Sequence, residues 1–176
     1  DIRRDDYYGN MRRLSEFDTR RNLAKFGKPV SEDGFADPRA TLPTVVNAGY
    51  SSGRNGIEIP AAFLQPPFYT PGADAGVNFC TLGAVIGHEI THGFDSSGRL
   101  YDAQGNVRDW WAPEDTKAFL ERSKNLVAQA AAYEVVPGTH LNGELSSGEN
   151  LADIGGLTLA YDALNRYLKA NPREDR

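Results

Sequence analysis

The stretch Val85 to Asp95, VIGHEITHGFD, sets two histidines four residues apart, with a glutamate directly after the first. In an α-helix, residues four apart share a face. His88 and His92 can therefore turn both imidazoles to one point, at the roughly 2.0–2.1 Å that zinc requires. Glu89 sits about 100° further round the axis, beside such an ion and free to address a water. The arrangement works only on a regular helix. Thr81 to His92 lacks proline and carries Leu82, Val85, Ile86 and Ile90, which predicts a largely buried helix that stops near Gly93. Gly83 and Gly87 leave room for another element to approach closely. The competing reading is two histidines packed in a core.

A catalytic zinc needs a third protein ligand and one open position. His140, the remaining histidine, falls in the loop-like PGTHLNG, and Cys80 precedes the metal-bearing turns. Glu149, in GENLAD, is a better candidate. It shares a helical face with Asp153, four residues on, and Gly155 and Gly156 would let that helix press against another. One carboxylate could ligate while the other accepts the free N–H of a ligand histidine, fixing the tautomer. The plainer alternative is an exposed acidic pair near a helix N-terminus, where the helix dipole favours negative charge.

The rest of the chain predicts a mostly helical frame. Tyr7, Met11, Leu14 and Phe17 recur at helical spacing between Asp6 and Phe26, and Gly27 to Pro29 end the run. Residues 31–43 read as a connecting loop. Thr44 to Tyr50 and Ile57 to Ile59 suggest a hairpin across SSGRNG. Gly98 to Trp111 reads as turns and short strands, in which Asp102 to Asn106 lacks the acidic alternation of a calcium loop. Pro113 opens a helix to about Tyr133, and a last helix runs from about Ser147, with Leu151, Ile154, Leu157, Tyr161, Leu164 and Leu168 on one side, ending before Pro172.

With 176 residues the chain is the size of one ordinary domain, expected over 1–176. Its net charge of -5 argues against nucleic acid or an anionic membrane as partner. The single Cys80 excludes an internal disulfide, and no segment approaches the roughly 20 apolar residues of a membrane span. The chain opens on Asp1 rather than Met, so it is expected to be a piece of something longer, and its compartment is left open.

VNAGYSSGRNGIEIPAAFLQPPFY, VIGHEITHGFD, GRLYDAQGN, DWW and HLNGELSSGENLADIGGLTLAY, in this order, closely resemble the catalytic region of the neprilysin family of zinc endopeptidases, peptidase family M13. The resemblance is dense from about Thr44 to Leu164. It implies an α+β fold, a mostly helical zincin-like (gluzincin) core with a small antiparallel β-sheet or hairpin. It also implies one Zn2+ per chain, held by His88, His92 and Glu149, with Glu89 as general base and Asp153 supporting His88. Asn47 and Ala48 would hold an extended substrate through backbone-type hydrogen bonds. Phe63, Phe68, Ala84 and Val85 would line the pocket for the residue after the scissile bond.

The implied activity is hydrolysis of peptides or unstructured polypeptides on the amino side of hydrophobic residues. The alternative is a zinc-stabilised peptide-binding module, or an incomplete fragment with little activity alone. Family members are several times longer, with a helical domain over the cleft and, beyond the segment matching GENLAD, a histidine and an arginine that contact the substrate. The resemblance therefore implies a catalytic-region fragment, and it favours an extracytoplasmic or secreted home.

Overall fold

The computed structural model describes residues 2–29 and 42–172. These fall into two compact units, divided between Ser31 and Glu32, and each is described by itself. The first is built on helix α1, Tyr7–Leu23. Asp6 caps it by accepting from the Gly9 N–H at 2.9 Å, and the Arg13 guanidinium reaches back to the same carboxylate at 3.1 Å. Arg20 and Arg21 stand in its last turn, where the dipole favours cations. Gly27 then adopts φ +73°, a conformation that favours glycine, and the helix is over. The expected loop over 31–43 lies mostly outside the described residues.

The second unit begins with a short hairpin. Strands β1, Gly49–Ser51, and β2, Gly56–Glu58, pair antiparallel with Tyr50 opposite Ile57. The first strand is shorter than its β-branched sequence predicts. β2 offers three residues before Pro60, which has no N–H to donate, so Thr44 to Ala48 find no ladder and run into the hairpin without joining it.

The helix that carries His88 and His92 starts earlier than expected. Asp74 caps the turn α2, Ala75–Asn78; a π-helical turn follows over Phe79–Gly83; and α3 runs Ala84–Thr91 before tightening into a 3-10 turn at His92–Phe94. The sequence pattern begins at Thr81 because Ala75 to Asn78 contribute little apolar periodicity. The helix is also less enclosed than predicted. Gly87 and Glu89 are buried, while Ile90 is 45% exposed.

Beyond it, a 3-10 turn at Gly98–Leu100 leads into a loop closed by the Tyr101–Val107 bridge. Asp102 spends its carboxylate inside that loop, accepting from the Gln104 and Asn106 N–H groups, which makes it a turn rather than an ion cradle. Helix α4, Pro113–Ala131, has proline in its first turn followed by Glu114 and Asp115, as read from the sequence. The hairpin of β3, Glu134–Val136, and β4, Thr139–His140, was not anticipated. Its turn glycine, Gly138 at φ +79°, is the signal that marks it. Helix α5, Gly143–Ala170, starts four residues before Ser147 because Asn142 caps it through the Leu145 N–H.

α5 is the platform of the unit, with α3 along one side and α4 along another. Its contacting face is not the large apolar stripe of the sequence. Ala152, Gly156 and Ala160 are buried, whereas Ile154, Leu157 and Tyr161 are each more than half exposed. Backbones that meet closely select small residues at the contact, and the bulky side chains are left on the other side. The result is the expected α+β class: mostly helices, with two small antiparallel hairpins. Among the described residues, no helix is long and apolar enough to cross a membrane.

Candidate active site

The site lies where α3 crosses α5. A methyl group on Gly87 would sit 2.8 Å from the Gly156 carbonyl oxygen, so the two backbones touch with no side chain between them. This contact sets two turns of α3 against the first half of α5. It brings His88, His92 and Glu149 together, the one group of three among the described residues whose side chains could hold a metal ion. The His88 and His92 Nε2 atoms are 3.0 Å apart, and Glu149 Oε2 lies 3.2 Å from the first and 3.5 Å from the second. Three ligands at 2.0–2.1 Å from a tetrahedral zinc would be separated by about 3.3 Å. The observed triangle brackets that spacing.

The other nitrogen of each ring is held by a carboxylate. His88 Nδ1 is 2.8 Å from Asp153 Oδ1, and His92 Nδ1 is 2.8 Å from Asp95 Oδ2. Each carboxylate accepts an N–H from Nδ1, which leaves the Nε2 lone pair aimed at the common point. The two supports differ in kind. Asp153 stands on α5 and is 74% exposed at its side chain, while Asp95 is 11% exposed. The second oxygen of Asp95 accepts from the Ser97 and Gly98 N–H groups at 2.8 and 2.7 Å, which locks the carboxylate in place.

Asp95 was not singled out from the sequence. It closes the stretch that contains both histidines, three residues after His92, and that spacing is the signal that could have found it. Cys80 is exposed on the π turn, and His140 pairs with Glu134 in the β3–β4 hairpin. Neither belongs to the metal-capable group.

Glu89 is buried, and burial pushes its carboxyl above the usual range, against the opposing pull of His88 and His92. It does not point away from the site. It borders two cavities, both of which also meet His88, Asn47 and Ala48. One, of about 250 Å³, is walled by Phe63, Ala84 and Val85. Phe68 stands behind that wall, its ring 4.2 Å from the Phe63 ring. The other, of about 360 Å³, opens beside Gly49 and is lined largely by polar residues. Asn47 and Ala48, expected within an edge strand, lie just before β1 and run past both cavities.

The family model described as Peptidase family M13 matches residues 47–175. The chain is 41% identical to human (Homo sapiens) neprilysin over 172 residues, which is 97% of this chain and 22% of that protein. It is 39% identical to an endothelin-converting enzyme homolog of Locusta migratoria, over 99% of this chain and 23% of that protein. Among solved structures, a zinc metalloprotease of Mycobacterium tuberculosis in complex with an inhibitor superposes with a TM-score of 0.85 at 45% identity, over 97% of this chain and 26% of that one. PepO from Lactobacillus rhamnosis superposes with a TM-score of 0.81 at 35% identity, over 92% of this chain and 25% of that one. The chain thus spans about a quarter of the length of the proteins it matches.

Proposed function

The chain belongs to peptidase family M13, and from that premise we propose that it carries the catalytic centre of a zinc endopeptidase, which cuts peptides or unstructured polypeptides on the amino side of hydrophobic residues. The observation that carries this reading is the triangle of His88, His92 and Glu149, of tetrahedral zinc spacing, with the buried Glu89 beside it. The same residues would hold one zinc ion. Bound there, zinc would supply a Lewis acid that polarises a carbonyl and acidifies water.

The residues divide the remaining work. Glu89, its carboxyl pushed up by burial, takes the proton of the attacking water and passes it to the leaving amine, a role that a carboxylate poised nearer neutrality performs best. Asp153 and Asp95 keep the imidazoles in one tautomer throughout. Asn47 and Ala48 hold the substrate backbone as an added strand, in the manner of extended peptide recognition. The cavity with the apolar wall of Phe63, Ala84 and Val85, backed by Phe68, takes the side chain after the scissile bond. Water leaves apolar surface when such a side chain enters, which favours Phe or Leu there.

The test is cleavage of a quenched peptide with a central Phe or Leu by metal-quantified protein, beside Glu89→Gln. Chelator-sensitive cleavage that falls by about 10² or more in the variant, with zinc still stoichiometric, is the expected result. Zinc without cleavage above that control would instead identify a peptide-binding core that needs the rest of its polypeptide for turnover. An extracytoplasmic or secreted home is part of the same reading.

A further inference from the structure

Two cavities flank the metal-capable triangle, and only one has been given a role. Both are bordered by His88 and Glu89 and both are edged by Asn47 and Ala48. A peptide stretched along Asn47 and Ala48, with its scissile carbonyl over the triangle, must place the side chains on either side of that bond into different cavities. The apolar one takes the residue after the bond on the reading above. The remaining one, the larger of the two, then faces the residue before it.

The lining of this second cavity differs in size and chemistry. At Gly49 a methyl group would meet nothing within 4 Å, so the chain itself leaves the space beside the substrate path open. Ser52 and Ser97 line the cavity, as does Asn47, and none of their side chains has a hydrogen-bond partner among the described residues. They are available to a ligand. The acids nearby are not: Asp95 is committed to His92 and to the Ser97 and Gly98 N–H groups, and Glu149 belongs to the metal-capable triangle. Glu89, the third acid on the cavity, is reserved for the attacking water on the reading above, so no lining carboxylate is left to pair with a cationic side chain, and Ser52, Ser97 and Asn47 offer no charge to an anionic one.

We propose that the cavity beside Gly49 is a second specificity pocket, which takes the residue on the amino side of the scissile bond and favours a long, uncharged polar side chain such as glutamine. An amide can donate to and accept from the hydroxyls of Ser52 and Ser97, whereas a leucine of similar length leaves them dehydrated and unpaired. Specificity on this side is a difference between made and lost hydrogen bonds, and on the other side it is apolar area.

This inference rests on the peptidase reading, and the experiment separates the two. Phosphonamidate peptides, in which a tetrahedral phosphorus replaces the scissile carbonyl, are made with Leu on the carboxyl side. The parent compound has no side chain on the amino side, and three others carry Gln, Leu or Glu there. Their affinities for the intact zinc-loaded protein are measured by calorimetry. The expected order places Gln roughly fivefold or more ahead of Leu and Glu, the scale of one net hydrogen bond. In Gly49→Phe, which fills the cavity, and in the milder Ser52→Ala, the advantage of Gln shrinks towards none. The parent compound reports in each variant whether the centre is intact. If the parent binds the wild-type protein and Gln gains nothing over Leu, the pocket is overturned and the peptidase reading stands. If the parent itself does not bind, the peptidase reading fails and the pocket falls with it.

Discussion

Gly87 and Gly156 meet backbone to backbone where the helix of His88 and His92 crosses the helix of Glu149. A methyl on Gly156 would lie 2.5 Å from the Ala84 carbonyl oxygen and 2.6 Å from the His88 backbone nitrogen. Neither neighbour is a flexible side chain that could swing aside. The separation of α3 from α5, and with it the distance from Glu149 to the two histidines, therefore depends on the absence of two side chains.

Gly156→Ala should push the helices apart and distort the metal triangle. Overpacking of this kind typically costs about 1–3 kcal/mol. The metal-free protein should melt lower than wild type, and zinc affinity should fall as well, read by thermal unfolding with and without zinc. An unchanged melting point and unchanged affinity would show that the crossing tolerates a side chain.

The two carboxylates behind the histidines should separate in a pair of variants. Asp153→Ala and Asp95→Ala should each weaken zinc binding by about 10- to 100-fold, measured by competition with a chromogenic chelator. Asp95→Ala should also lower the stability of the metal-free protein, because it strips the acceptor from the Ser97 and Gly98 N–H groups. Leaving such donors unpaired costs about 1–3 kcal/mol. Asp153 is exposed, so its loss should show in metal affinity and hardly in metal-free stability.

Val85→Phe should narrow the cavity walled by Phe63, Ala84 and Val85, proposed above to take the side chain after the scissile bond. The ratio of kcat/KM for a substrate with Phe after the bond over one with Ala should drop by roughly tenfold or more, the scale on which apolar pockets discriminate. Equal losses for both substrates would place the cavity outside the specificity path.

Asp6 gives the pH dependence of helix α1. Its pKa is held below the ordinary aspartate value, first by the Gly9 N–H and then by Arg13. A depressed folded-state pKa means that the contribution is present above the unfolded value and is lost as pH falls through the folded one. The Gly9 amide resonance should therefore move in acid, below the normal aspartate range, and Asp6→Asn should shift that transition or remove it.

Much of the site could be read from spacing alone. A four-residue interval places His88 and His92 on one face of a helix, and the same interval pairs Glu149 with Asp153, because 3.6 residues make a turn whatever the surroundings. Helix termini such as Asp6 and Pro113 were likewise local, since a cap or a first-turn proline acts within a few residues of itself. What stayed hidden depended on contacts between distant segments. Only the crossing of α3 and α5 turned two intervals into a triangle of three atoms that could hold a metal, and only there did the small face of α5 prevail over its larger apolar stripe. Asp95 became a support for His92 when the chain folded back through Ser97 and Gly98, and the cavities exist because Asn47 to Gly49 pass over a helix some forty residues away. Sequence determined which side chains share a face; tertiary packing decided which faces meet, because close approach is a property of two surfaces and periodicity describes one.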